Sequence, residues 1–507
     1  MGVIAQQSIK GTIVTYIGVA VGFLTTFFVL TRFLTAEEIG LTRVLIDAAT
    51  LFVSLAQLGT SSSIIRFFSY FRQAPSEEHP RGTDHGFFFW TIVIPLLGFC
   101  IFALLYFRCR TPLEQWFGEK SPLFVDYYYM VLPLAFFLLY QTIFETNANV
   151  LMHIVVPRAV REVFTRVGLL AVYLLYAFRV LSMDGFIVAI CANYGVAALI
   201  NLGYLLSIRS ISFRPDMVFL RENRGLVRSY ARYSGFVFVS ALASVLGPVL
   251  ASFFITAKMG LEYTGIFAIA TYISVVVSIP YRSLTAIASP QLARATKEQQ
   301  HDEAQRLIHQ VSGNLLLIGG FIFFAIWCNI DLIFHILPNG STYAVARDVV
   351  FWLCLAQWLV ATCSIAVTAI SYSRYYAFTL LFSVVLTVSS LCLNNYLIPR
   401  MGMNGAAVST LLANILYFSV ATLVLRLTCH LRLLNAAAMK SLLLLGVLFA
   451  SDALCARWLG GQNIWLSSIL RTVLLGGSGV GIAYRFGLSP ELNRTISTII
   501  HHFRQSS

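Results

Sequence analysis

The side chains whose spacing most suggests chemistry lie along one face of a predicted helix near the start of the chain. Polar residues recur there every three or four positions: Arg43, Asp47, Thr50, Ser54, Gln57 and Ser61. An unpaired polar group in hydrocarbon is costly, so this stripe must face other helices or a wet cavity. We interpret it as the wall of an internal passage. The alternative is a contact in which Ser, Thr and Gln side chains hold neighbouring helices together.

A second stripe repeats the pattern later in the chain. Its residues, again at helical spacing, are Thr271, Ser274, Ser278 and Arg282. Pro280 removes a backbone hydrogen bond and is expected to bend this helix. The guanidinium group of Arg282 suits phosphate oxygens, which it can bind through two parallel bonds. Arg66 marks the end of the first stripe, where it is either a ligand-binding cation or a topology anchor at the cytoplasmic surface.

The two stripes belong to an internal duplication. TAEEIG aligns with GLEYTG, pairing Glu37 with Glu262 and Gly40 with Gly265 at a constant offset. The same offset maps 86–107 onto 311–332 and 127–144 onto 352–369. Chance similarity between apolar helices is the alternative. Internal duplication is a common basis of transporters, and six helices per copy would give both copies the same orientation in the membrane.

Composition defines the class of protein. The 507 residues are 58% hydrophobic and 11% charged, with a mean hydropathy of +0.78. Soluble domains are about 25% charged, so this composition predicts an all-α polytopic membrane protein. The first apolar segment, 11–31, is long enough to span and lacks a cleavage site. The net charge of +13 lies in short loops, where it sets topology rather than binding nucleic acid.

Fourteen spans are predicted, with boundaries at 11–31, 44–65, 86–107, 127–144, 165–181, 185–208, 235–257, 264–289, 311–330, 349–371, 376–398, 403–425, 441–457 and 464–484. They group into a six-helix bundle (1–208), a basic linker (209–233), a second six-helix bundle (234–426), an additional helix pair (438–485) and a tail (486–507). Lys and Arg concentrate in the alternate loops that share a side with both termini, which we therefore expect to be cytoplasmic.

The additional helix pair carries one charge of each sign. Asp452 and Arg471 fall at similar depths in adjacent spans and are expected to form an ion pair. The pair is either structural or faces a groove with a functional role.

Enzyme chemistry has no support in the sequence. Motifs for nucleotides, zinc proteases and serine hydrolases are missing. The nine cysteines show no CxxC or Cys/His clustering, which argues against a disulfide framework and a metal site. We therefore expect no catalytic residues, no metal and no cofactor.

Three segments resemble one family: IAQQSIKGTIVTYIGVAVGFLTTFFVLTRFLTAEEIGLTRVL, AQLGTSSSIIRFF and IPYRSLTAIASPQLA. They are similar to bacterial polysaccharide or oligosaccharide flippases of the multidrug/oligosaccharidyl-lipid/polysaccharide exporter superfamily. The resemblance implies alternating access in the bacterial inner membrane, where glycans linked to undecaprenyl diphosphate move to the outer leaflet for surface polysaccharide synthesis. It also implies association with polysaccharide polymerase and ligase machinery. Cavity cations would meet the diphosphate, a role that falls on Arg66 and Arg282 and less securely on Arg43.

Two alternatives stay open. An ion-coupled multidrug antiporter of the same superfamily would have twelve spans and acidic cation sites in the membrane, whereas neither 11–31 nor 235–256 contains an acid. Asp47 is the only acid deep in the first half, and it is the i, i+4 neighbour of Arg43. A membrane polymerase or ligase would need a large external loop, and the predicted outer loops are short.

Overall fold

The computed structural model describes residues 14–15, 17–72, 84–208, 213–458 and 463–487, without the side chains of 243, 244 and 248. All regular structure in this part of the chain is helical. Helices satisfy their backbone hydrogen bonds internally, which hydrocarbon requires. The predicted all-α polytopic fold is confirmed.

The helices follow one another along the chain, and the two longest connections contain four unnumbered short helices: Arg110–Phe117, Pro122–Asp126, Ile330–Ile336 and Gly340–Ala344. The first half contains α1 (Ile17–Phe33), α2 (Ala36–Ala56), α3 (Thr60–Phe71), α4 (Phe87–Arg108), α5 (Tyr128–Val150), α6 (155–177), α7 (Met183–Ile208), α8 (Met217–Glu222) and α9 (Arg224–Lys258). The second contains α10 (Leu261–Lys297), α11 (His301–Cys328), α12 (Arg347–Tyr372), α13 (Phe378–Met401), α14 (Met403–Thr428), α15 (Ala436–Trp458) and α16 (Ile464–Arg485).

Eleven of these helices are long and apolar enough to cross a membrane, and α9 makes twelve if its bent parts form one span. The bend in α9 is 49°, between Arg224–Gly247 and Val249–Lys258. α1 and α6 are interrupted by π-helical turns and occupy the positions of the two remaining predicted spans. With these two, the helices are roughly consistent with the predicted fourteen spans.

Packing divides the chain into two units, Met1–Gly265 and Ile266–Ser507. The division lies inside α10. The predicted linker, 209–233, is partly helical, because α9 begins at Arg224. α9 packs against α2 within the first unit. The proposed repeats, 1–208 and 234–426, stay a prediction. Of the predicted tail, 486–507, all but the first two residues lie outside the described part of the chain.

Local sequence explains where α2 begins. Thr35 accepts a hydrogen bond from the backbone N–H of Glu38 at 3.2 Å, and Glu38 accepts one from the Thr35 N–H at 2.8 Å. This capping box satisfies two amide groups that would otherwise lack partners at the helix start. It fixes the start of the helix that carries Arg43 and Asp47.

The second unit has its own apolar core, to which the additional helix α15 contributes. Leu316 and Phe324 of α11 pack with Leu445 and Leu448 of α15. Large apolar side chains on the outer faces are exposed, for example Leu443 at 67%. Exposed apolar faces of this kind are stable against lipid.

Candidate functional site

The first polar stripe is not one continuous helix, so the predicted span 44–65 is corrected. α2 ends at Ala56, and Leu58 and Gly59 have positive φ angles of 47° and 75° before α3 begins. A Cβ atom on Gly59 would lie 2.4 Å from the carbonyl oxygen of Ser234, so this turn allows α9 to approach closely. Gln57 caps α2 and accepts a hydrogen bond from Ser61 at 2.9 Å, so these two side chains join the helix ends.

Arg43 and Asp47 form an ion pair on α2. The Nε atom of Arg43 lies 2.9 Å from an oxygen of Asp47, and only 9% of the Asp47 side chain is exposed. The pair neutralises much of the Arg43 charge. Of the other stripe residues on α2, Ser54 is buried whereas Thr50 is exposed, so the stripe residues do not share one environment.

Arg66, by contrast, is an exposed cation on α3. Its guanidinium carbon lies 4.4 Å from the centroid of the Tyr233 ring on α9. Within the described residues, Arg66 has no carboxylate oxygen within 4 Å. A guanidinium stacked on a ring keeps its edge N–H donors available, so Arg66 can bind an anion.

Arg282 lines a polar cavity of the second unit. The cavity holds about 670 Å³ between α10 and α12, and its hydroxyl-bearing residues are Tyr281, Thr285, Ser289, Thr368, Ser371 and Tyr372. The 3₁₀ turn Val276–Ser278 interrupts α10 just before Pro280, as the sequence indicates. Arg282 is exposed and forms no ion pair with the described residues.

The polar groups of this cavity divide by chemistry. Thr285, Thr368 and Ser371 donate their hydroxyl hydrogens to carbonyl oxygens of their own helices. Their oxygen lone pairs are left to accept hydrogen bonds, whereas Arg282 can only donate. The cavity therefore offers a cationic donor for phosphate oxygens beside acceptors for hydroxyl hydrogens. A ligand with both groups, such as a sugar phosphate, matches this arrangement.

The glycines that define the offset between the repeats touch each other. A Cβ atom on Gly40 would lie 1.9 Å from the carbonyl oxygen of Leu261, and one on Gly265 would lie 1.8 Å from that of Ala36. The offset maps Gly40 onto Gly265 and Ala36 onto Leu261, so the two contacts are equivalent. This reciprocity is what a local twofold relation between α2 and the start of α10 produces.

Asp452 and Arg471 lie side by side. Arg471 donates two hydrogen bonds, of 2.7 Å and 2.6 Å, to the two carboxylate oxygens. Asp452 is only 1% exposed. Such a two-pronged arrangement offsets part of the cost of burying both charges.

Sequence reasoning missed a charged network between α1, α5 and α6. Glu145 of α5 accepts a hydrogen bond from Arg161 at 2.9 Å, and Arg161 also contacts Glu162. Arg166 bonds to Glu162 at 2.8 Å and donates to the carbonyl oxygen of Gly18 at 2.6 Å. The i, i+4 spacing of Glu162 and Arg166 was the available signal. The network binds α6 to its neighbours and leaves its two acids paired.

The described residues offer no set of side chains that could hold a metal ion. No group of three or more His, Cys, Asp or Glu side chains is suitable for a metal ion there. All nine cysteines are free thiols.

Known structures define the class of fold. The chain is similar to the lipid II flippase MurJ in an inward closed conformation, with a TM-score of 0.70, 12% sequence identity, and coverage of 94% of this chain and 99% of that one. It is also similar to a mutant of the Vibrio cholerae MATE transporter VcmN, with a TM-score of 0.56, 15% identity, and coverage of 83% and 97%. A third match is a MOP superfamily transporter from Pyrococcus furiosus, with a TM-score of 0.54, 12% identity, and coverage of 83% and 96%.

The sequence itself identifies the family. Residues 5–296 match the model of the polysaccharide biosynthesis protein family, which is more than half of the chain. The chain belongs to this family. No curated protein sequence matches it significantly.

Proposed function

We propose that this protein moves a lipid-diphosphate-linked oligosaccharide from the inner to the outer leaflet of a bacterial inner membrane by alternating access. The family concerns polysaccharide biosynthesis, and the fold is shared with a lipid II flippase. A glycan attached to a lipid has a large polar part that cannot cross hydrocarbon alone. A passage lined with polar side chains lowers that barrier.

The observation that carries the proposal is the cavity around Arg282. Its guanidinium group has no carboxylate partner among the described residues, and acceptor hydroxyls of α10 and α12 line the same cavity. The diphosphate would bind Arg282, and sugar hydroxyl groups would donate to Thr285, Thr368 and Ser371. Both parts of the cargo then replace bonds that they made to water.

Two other arginines, Arg66 and Arg43, are weaker candidates than Arg282 for binding the diphosphate. Arg66 is exposed and also lacks a carboxylate partner within the described ranges, so we assign it to the diphosphate at another stage of transport. Arg43 is held by Asp47, and we therefore assign this pair, with Gln57, a secondary role in lining the passage.

A multidrug antiporter is the second candidate, because the fold also matches a MATE transporter. Cation export needs an acid that is free to release its proton for the drug. Asp47 and Glu145 are each bonded to an arginine, which disfavours that role. We infer a transporter without catalytic residues. Both termini would be cytoplasmic, and the enzymes that polymerise or ligate the glycan would act on its product.

The test uses cells whose own gene is deleted and that carry plasmid variants. Arg282→Ala should lower cargo affinity about tenfold to hundredfold by removing charge-assisted hydrogen bonds. Lipid-linked glycan should then accumulate on the cytoplasmic leaflet, as measured by mass analysis. Arg282→Lys should restore transport only in part, because an ammonium group lacks the planar fork.

Arg306→Ala is the matched control, since Arg306 is an exposed arginine of the same unit that does not line the cavity. It should transport normally. A fully active Arg282→Ala protein at normal expression would refute the proposed site.

A further inference from the structure

The first unit contains a second cavity with a different character. It holds about 470 Å³ between α3, α4, α8 and α9, and its lining is almost entirely apolar. Five of its twelve lining residues are aromatic: Phe71, Phe87, Trp90, Tyr230 and Phe238. We refer to it as the aromatic cavity. Its volume falls in the range of sites that bind small ligands, roughly 300 to 1,000 Å³.

A row of arginines runs beside this cavity on α9. Val227, Ala231 and Gly235 line the cavity at four-residue spacing. Arg224, Arg228 and Arg232 repeat at the same spacing, and all three side chains are exposed. Since residues four apart lie on one helix face, the arginine row follows the cavity row along the helix. None of the three arginines has a carboxylate oxygen within 4 Å in the part of the chain that is described.

The cavity offers almost no polar surface, so its occupant must be largely hydrocarbon. The arginine row beside it attracts an anionic group. An occupant therefore needs a hydrocarbon part and an anionic group.

We propose that the aromatic cavity binds one acyl chain of an anionic glycerophospholipid, whose phosphate contacts the arginine row on α9. The acyl chain would fill the apolar cavity while the headgroup stays beside Arg224, Arg228 and Arg232. The aromatic cavity shares no lining residue with the cavity around Arg282, and the proposal does not depend on the proposed function.

The bound lipid would hold α8 and the start of α9 against α3 and α4. The ring of Phe219 on α8 already packs against two others: its centroid lies 5.5 Å from that of Phe71 and 4.2 Å from that of His85. Acidic side chains in 213–232 are limited to Asp216 and Glu222, and Asp216 bonds to His85 at 2.8 Å. The local charge is therefore positive and complements an anionic headgroup.

The experiment measures lipid bound to the purified full-length protein by native mass spectrometry, with phosphatidylglycerol and phosphatidylcholine of identical acyl chains. The wild type should retain phosphatidylglycerol preferentially. The triple variant Arg224→Ala, Arg228→Ala, Arg232→Ala should lower that preference at least about tenfold, given the attraction of each cation for an anionic lipid.

Two further variants separate lipid binding from misfolding. Ala231→Trp fills the cavity and should abolish retention of both lipids while the arginines remain. Replacing Arg306, Arg400 and Arg426 by Ala removes three exposed arginines of the second unit and should leave retention unchanged.

Equal retention of the two lipids by the wild type would overturn the proposal, as would unaltered preference in the α9 triple variant. Displacement of phosphatidylglycerol by an equimolar polyprenyl diphosphate would also overturn it, because the cavity would then bind cargo.

Discussion

Breaking the Asp452–Arg471 ion pair should destabilise the protein strongly. The Asp452 side chain is 2% exposed and that of Arg471 is 12% exposed, so either charge would remain in a poorly hydrated site without its partner. Loss of one partner of a buried pair costs about 3 to 5 kcal/mol. Asp452→Ala and Arg471→Ala should each reduce the free energy of unfolding by an amount in that range.

The double variant separates the ion pair from the side chains themselves. With both charges gone, no unpaired charge is buried, so the double variant should recover at least about half of the loss. Reversible unfolding in mixed detergent micelles gives the four free energies of the cycle. Arg457 is an exposed residue of α15, the helix that carries Asp452. Arg457→Ala should have a free energy of unfolding within about 0.5 kcal/mol of that of the wild type.

The cycle also distinguishes a structural pair from a functional one. A structural pair predicts that the double variant regains transport together with stability. Single variants as stable as the wild type would refute this reasoning, since the contact between Asp452 and Arg471 would then contribute nothing to the free energy of unfolding. A double variant that is stable but inactive would assign the pair to transport.

Two further predictions concern backbone contacts of the first unit. Gly40→Ala should lower stability by about 1 to 3 kcal/mol or more, since the new Cβ would collide with the carbonyl of Leu261. Gly203→Ala, whose Cβ would meet nothing within 4 Å, should not lower stability. Thermal unfolding compares the two variants. The pKa of Asp216 is lowered, first by the Phe219 backbone N–H and then by His85. Its contribution is therefore present above the ordinary carboxyl pKa and is lost as the pH falls through the lowered value. Asp216→Ala should speed hydrogen exchange in α8 at neutral pH but not in strong acid; equal effects at both pH values would contradict this.

Much of the fold was predictable because hydrocarbon imposes simple rules on a sequence. Long apolar runs must form helices in hydrocarbon. Two opposite charges at matching depth in adjacent spans are expected to pair. Asp452 and Arg471 lie in contact for that reason. The constant offset between Gly40 and Gly265 likewise corresponds to a contact in which each glycine meets the other helix.

The break between α2 and α3 was not predictable from local pattern. The predicted span continues through Leu58 and Gly59, whereas the chain turns there with positive φ angles, and the Ser234 carbonyl of α9 lies against Gly59. The stacking of Arg66 on Tyr233 depends on the same distant helix. Contacts between segments far apart in sequence determine these features, and a single sequence carries no direct record of them.

The most direct test of the proposed transport uses purified protein in liposomes with lipid-linked glycan confined to one leaflet. A glycosidase added outside reports how much glycan reaches the outer face. We expect the wild type to move the glycan without changing its length and Arg282→Ala to leave it in place. Folded wild-type protein that moves no glycan, or that extends or transfers it, would contradict the account.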